Sequence, residues 1–227
     1  MFIPVPAYVK DNAPREAIPV ANGMLIVANV LAFWMGWSPW WAVGPGSSLL
    51  SVVTYAFAHA SPWHLIGNMW VLLVFGNPVN RRLGNAYYLM TYFGTVVALG
   101  LFASLFADGY LLGSSGAIFA VIGVCVLLLP ASLIEVFYLA LFPITLIIGL
   151  IHRPPHWVFW FIRWDKFEMR AFWAIFLVPL LELWSLFWWG WNWTNLAHLF
   201  GLACGVAAVL MLPTQITMRR RAAYASW

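Results

Sequence analysis

Gly113-Ser114-Ser115-Gly116 is the stretch of this apolar chain whose residue types suit covalent chemistry: a serine between glycines. The apolar run behind it, 117–129, reads as helix, so Ser115 falls at a helix N-terminus. Unpaired N–H groups and the positive end of the helix dipole favour developing negative charge there. A lone G-x-S-G is also an ordinary packing device between membrane helices. Chemistry therefore needs a base and a set of oxyanion donors from elsewhere. His198 offers the base, with Asn195 one turn earlier. His64 and Asn68 stand four apart, on one helix face, and offer donors.

The elements that must position these groups are membrane helices. Of 227 residues, 64% are hydrophobic and 8% charged, and the mean hydropathy is +0.87. A soluble domain carries about 25% charged residues. The expected class is an all-α polytopic membrane protein of one domain. Its formal charge of +4 follows membrane topology, so no nucleic-acid partner is expected. Residues 1–19 carry Lys10, Asp11, Arg15 and Glu16 without an apolar core run, so no signal peptide is expected. Cys125 and Cys204 both sit in apolar runs and read as packing residues. No cofactor is expected, and no metal: His59 and His64 are five apart, with no cysteine or acid joining them.

Six apolar runs are long enough, or nearly so, to cross a bilayer, which needs about 17–25 residues. They are 20–37, 63–79, 86–107, 115–129, 171–189 and 194–212. Ser61-Pro62 reads as an N-cap and first helical residue for the second. With six spans, every basic residue falls on the side of the two termini: Lys10, Arg15, Arg81, Arg82, Arg153, Arg163, Lys166, Arg170 and Arg219 to Arg221. The loops on the other side carry none, which places both termini in the cytoplasm. A further apolar run, 132–151, contains Glu135 and Pro143. As a seventh span it would put the last arginine cluster outside, so it reads as interfacial or re-entrant, followed by an aromatic and basic stretch over 156–170. The expected organisation is a tail over 1–17, a membrane domain over 18–213 with an insertion at about 132–170, and a tail over 214–227.

Under this topology the second, fourth and sixth runs enter from one face, each with polar residues near its N-terminal end. Polar groups at membrane depth are costly and point to function. Gly116, Ala120 and Gly123 make a small-residue stripe on the fourth run, and Gly201 and Gly205 make a G-x-x-x-G on the sixth. Two such faces pack closely and would bring Ser115 to His198, a nucleophile and its base. His64, Asn68 and the Ser115 N–H would form the oxyanion site. No acidic residue is read at that depth. Glu182 lies deep in the fifth run and reads as a buried packing residue, which leaves a dyad.

Three motifs carry a resemblance to the rhomboid family of intramembrane serine proteases. They are Gly113 to Gly116, the A-H-x-x-G-x-x-x-G from Ala197 to Gly205, and His59, His64 and Asn68 as H-x-x-x-x-H-x-x-x-N. The resemblance covers about residues 49–213. It implies a six-transmembrane-helix bundle and a serine endopeptidase that cuts transmembrane protein substrates in or near their helices. It matches Ser115 to the nucleophile, His198 to the base, His64 and Asn68 to the oxyanion-stabilising side chains, and Phe119 to the aromatic residue against which the imidazole packs. Gly113, Gly116 and Gly201 support the site. The chain departs from the family pattern at Leu50 and Ser51, where a Trp-Arg pair is usual, and at Asn80, where an acid is usual. The first outer loop, 38–60, is short. The expected location is a lipid bilayer, as a multi-pass protein of a bacterial inner membrane. The alternative is a non-catalytic rhomboid-like protein that binds membrane helices; such members typically lack the serine or the histidine, and both are present here.

Overall fold

A computed structural model describes residues 2–11, 18–36, 41–152, 156–190 and 192–212. Arg15, Glu16, Trp37, Arg153, Arg219 to Arg221 and the tail 214–227 lie outside the described residues. The chain is mostly helical, and the apolar runs become helices close to their expected bounds. The first is α1, Val20–Trp34. After a short helix α2, Ser51–Thr54, comes a long continuous rod. It consists of α3, Pro62–Val71, a π-turn, Leu72–Gly76, and α4, Asn77–Leu83. Then follow α5, Asn85–Phe106, and α6, Ser115–Leu128. After α7, Ile144–His152, the last two are α8, Ala174–Trp189, and α9, Trp193–Met211. By length and composition three of the described helical stretches are fit to cross a membrane: Asn85–Phe106, Ala171–Trp188 and Trp193–Met211; α1 and α6 are shorter apolar helices.

The centre of the bundle is α6. It is buried on nearly every face, as a helix that is hydrophobic all round must be, and it packs most extensively against α9. Missing side chains set that contact. A Cβ on Gly201 would run into the Gly116 carbonyl oxygen, and a Cβ on Gly205 into that of Ala120. On the other side, a Cβ on Gly123 would stand 2.9 Å from the Leu202 carbonyl oxygen. By contrast, α8 is peripheral, with Leu180, Leu181, Leu183, Trp184, Phe187 and Trp188 exposed.

A buried polar knot ties α1, the rod and α5 together. Within the rod, the π-turn draws the Leu72 carbonyl into a hydrogen bond from Asn22 Nδ2 at 3.0 Å. The same Nδ2 also donates to Asn77 Oδ1 at 2.8 Å, and Asn22 Oδ1 accepts from the Tyr88 hydroxyl at 2.6 Å. Asn80 Oδ1 accepts from Asn22 N at 3.0 Å, while Asn80 Nδ2 donates to Asn85 at 3.0 Å. Every member is paired, which is the condition for burying such groups.

Two expectations are corrected. The chain is not all-α: β1, Phe2–Lys10, β2, Leu133–Leu141, and β3, Ile162–Arg170, form an antiparallel sheet in the order β1-β2-β3. Within the segment expected as a tail, residues 2–10 are therefore structured, since β1 pairs with β2 along its length. The run 132–151 divides into β2 and α7. The sheet hangs from the end of α6 remote from Ser115, where Ala171 N donates to the Ser132 carbonyl at 2.8 Å. Glu135 and Glu168 face each other across the β2–β3 register. Like charges so placed repel, and Lys10 and Lys166 offset this. Lys166 Nζ is 3.1 Å and Lys10 Nζ 3.9 Å from Glu135, and Lys10 also pairs with Glu168.

Gly201→Leu should lower stability by at least about 1–3 kcal/mol, because the α6–α9 contact leaves no room for it to relax. Gly94→Ala, with nothing within 4 Å of its Cβ position, should leave stability within about 1 kcal/mol of the parent or raise it. Thermal unfolding of both proteins in detergent checks the contrast.

Candidate active site

Helix α6 begins at Ser115 because Gly113, at φ +108°, turns the chain into it. As the first helical residue, Ser115 has an N–H with no intrahelical acceptor. The turn is pinned by Gly113 N donating to the Tyr55 carbonyl at 2.8 Å. A side chain at Gly113 would be excluded on space as well as on φ. Its Cβ would stand 2.8 Å from His64 Cε1 and Nε2, and 3.5 Å from Asn68 Nδ2.

His64 and Asn68 arrive on α3, whose start is capped by Ser61: its Oγ accepts from His64 N at 3.2 Å. His64 Nδ1 accepts from Ala60 N at 3.4 Å, which leaves the proton on Nε2, on the side facing Gly113. Asn68 Nδ2 is buried and has no hydrogen-bond partner among the described residues. Behind His64 lies His59, edge-on at 5.1 Å between ring centroids. Burial first, and then His64, pushes His59 down to about 4, with the Phe57 carbonyl opposing. The neutral ring bridges: Nδ1 donates to Phe57 O at 3.3 Å, and Nε2 accepts from the Ser114 hydroxyl at 3.4 Å. His59 and Ser114 thus brace the wall that carries His64, a part their place in the motifs did not reveal.

His198 arrives on α9, capped by Asn192, whose side chain accepts from Thr194 N at 2.6 Å and Asn195 N at 3.3 Å. Its ring stacks on Phe119 with centroids 4.1 Å apart and planes 8° from parallel. Its Nε2 is buried and has no partner among the described residues. Its Nδ1 is 3.0 Å from Glu182 Oε1, and the other carboxylate oxygen accepts from Asn195 Nδ2. The expectation of no acid at this depth, with Glu182 a remote packing residue, is corrected. Glu182 lies seven residues before the end of α8 and His198 five residues into α9. At 1.5 Å per residue these are depths of about 10 and 8 Å below a shared loop, a difference that one glutamate side chain spans. Counting depth from that loop, rather than from mid-segment, would have found the pair.

Ser115, His198, His64 and Asn68 line one cavity of about 440 Å³, together with Ala60, Tyr110, Leu111, Leu112 and Thr194. That is the size of a small-molecule or peptide-segment site. Gly116 and Gly201 do not line it; they set the helix contact beneath it. The arrangement sets a hydroxyl at a helix N-terminus, an imidazole nitrogen and a side-chain amide donor, both unpartnered among the described residues, around one space. Acyl transfer requires such a set.

Comparison with known proteins agrees with the motifs. The Rhomboid domain family model matches residues 46–215, most of the chain. Rhomboid protein 1, mitochondrial, of Saccharomyces cerevisiae is 35% identical over 98 residues. That match covers 40% of this chain and 28% of the yeast protein, so the chain spans only a small part of that relative's length.

Gly113→Ala should crowd His64 and Asn68 and strain the turn before Ser115. We expect the reactivity of Ser115 toward a fluorophosphonate to fall at least about tenfold, corresponding to misplacement costing about 1.4 kcal/mol in the barrier. The labelling rate of the purified variant, with circular dichroism as the check on fold, measures it.

Proposed function

This chain belongs to the rhomboid family, and from that premise we propose that it is an intramembrane serine endopeptidase acting on transmembrane proteins. The observation that carries the reading is the shared cavity: Ser115 lies in it with a histidine whose Nε2 is buried and unpartnered, beside the unpartnered Asn68 amide. Ser115 Oγ attacks a backbone carbonyl carbon while its proton passes to His198 Nε2. The Ser115 N–H, His64 Nε2–H and Asn68 Nδ2–H hold the oxyanion. His198 then gives that proton to the leaving amine nitrogen, and the C–N bond breaks. Water attacks the acyl-serine, losing its proton to His198, and the Ser115–acyl bond breaks as the proton returns to Oγ. Substrate helices protect their carbonyls by internal hydrogen bonds, so cleavage favours sites loosened by Gly, Pro or polar residues.

The same reading gives six spans with both termini in the cytoplasm. Apolar helices at all six expected places support it, as does the basic bias of the loops. Strands β2 and β3 with α7 then form the insertion within the membrane domain, at the cytoplasmic face, where β1 of the N-terminal segment joins them. Family membership and the apolar helices make this an integral membrane protein; the yeast relative is mitochondrial by name, and the similarity carries no particular membrane.

Ser115→Ala and His198→Ala should each abolish cleavage of a reconstituted transmembrane substrate, and the double variant should be little worse, because members of a catalytic unit are not additive. Asn68→Ala should cost about 100- to 1,000-fold in kcat with little change in KM. Cleavage by Ser115→Ala above background would overturn the nucleophile, and an intact protein inert to both fluorophosphonate and substrate would favour a helix-binding role. For topology, cysteines placed at His156 and Met218 should resist an impermeant thiol reagent added outside intact cells, while one at Gly109 reacts.

A further inference from the structure

We propose that Glu182 is the positioning residue for His198, making the site a Ser115-His198-Glu182 triad; this rests on the serine-protease reading above. The geometry is specific. Glu182 Oε1 accepts from His198 Nδ1 at 3.0 Å, and Asn195 Nδ2 donates to the other oxygen, so both carboxylate oxygens are held. The opposite imidazole nitrogen, Nε2, is left buried and unpartnered, in a ring that lines the Ser115 cavity. Phe119 fixes the plane of the ring by stacking on it. A ring held on its face and at Nδ1 keeps its Nε2 lone pair aimed at one place.

The setting of Glu182 within α8 supports the assignment. Its neighbours Leu181 and Leu183 are 56% and 54% exposed, whereas the Glu182 side chain is 14% exposed. Helix α8 therefore turns its one carboxylate inward while its flanking leucines face outward. A carboxylate in an apolar helix is costly unless paired, and the pair it makes is with the candidate base. The consequence for the reaction is twofold. The Nδ1–H···Oε1 bond selects the tautomer whose Nε2 can accept the Ser115 proton. When that proton arrives, the imidazolium formed has a carboxylate already in contact, and the Nδ1 proton stays where it is.

A merely structural link between α8 and α9 would give the same static contact, so the test reads the tautomer and the chemistry as well as stability. The full chain, purified in detergent, is compared with Glu182→Gln, Glu182→Leu and Glu182→Asp. Nitrogen-15 shifts of His198 in the wild type should report Nδ1–H with unprotonated Nε2; the opposite tautomer would overturn the proposal without any variant. Glu182→Gln, which keeps the side-chain volume, should lower kcat and the fluorophosphonate labelling rate at least about 100-fold while KM stays within about twofold. Glu182→Asp should recover part of the loss, and Glu182→Leu none. Wild-type kcat in a folded Glu182→Gln, or a loss that falls on melting temperature and KM alone, would overturn the proposal. The two readings fail differently. A wild type that labels at Ser115 while Glu182→Gln labels as fast removes Glu182 only. A wild type that never labels removes the nucleophile, and the triad with it.

Discussion

Two carbonyl oxygens, those of Gly116 and Ala120, occupy the space that side chains at Gly201 and Gly205 would need, and the site depends on that contact. Bringing helix backbones this close fixes their register as well as their distance, because each carbonyl must meet a residue without a Cβ. With Gly116 set against Gly201, the residue just before one and the residue almost one turn before the other fall at similar depth. Those are Ser115 and His198. Phe119, one turn beyond Ser115, then lies flat against the imidazole. Nothing long-range or electrostatic is needed to bring the two together: in a bilayer, where lipid is as apolar as leucine, small residues that permit close packing are a main source of helix association.

Two clusters of polar groups in this apolar chain are opposite in how they are satisfied. In the cluster around Asn22, Asn77, Asn80, Asn85 and Tyr88, donors and acceptors are matched, including the Leu72 carbonyl that the π-turn turns toward Asn22. A matched cluster rigidifies and has nothing left to offer a ligand. In the cluster around Ser115, Asn68 Nδ2 and His198 Nε2 are buried and unmatched among the described residues, while Phe119 holds the His198 ring on its face and Glu182 holds it at Nδ1. Unmet hydrogen-bonding capacity is destabilising in the resting protein, and it is what an incoming carbonyl and its oxyanion would satisfy.

The helices and the candidate-site residues they carry were legible in the sequence because their signals are local. Helices start at Pro62, after the Gly113 turn and at Trp193, and His64, Ser115 and His198 all lie within the first two turns of them. The sheet was not legible, because its signal is spread over the chain. In isolation, β2 is an apolar run that periodicity cannot tell from a buried helix segment, and its partner β1 lies some 130 residues away in sequence, in the register Phe2 with Ala140. Pro4 and Pro6 are residues that a central strand would exclude. They are accommodated because β1 is at the edge of the sheet, where a missing N–H costs no ladder bond. Glu182 was misplaced for a different reason. Its depth was taken from the middle of its own segment, whereas the loop of three residues between α8 and α9 makes the shared end the proper origin.

The acid also changes how a site of this kind handles charge. Proton transfer from Ser115 to His198 creates a cation and an anion in surroundings of low dielectric, where separated charges are expensive. In the proposed reaction each charge appears beside groups already aimed at it. The anion develops between the Ser115 N–H, His64 and the Asn68 amide. The cation develops on a ring with an aromatic face on one side, an arrangement that itself attracts cations, and the Glu182 carboxylate at Nδ1. Because Asn195 holds the second carboxylate oxygen and the Asn192 cap holds the start of the helix that carries Asn195, little has to move when the proton does. Reorganisation is thus completed at folding, by α9 itself: the same helix turn that supplies the base supplies the donor that steadies its counter-ion.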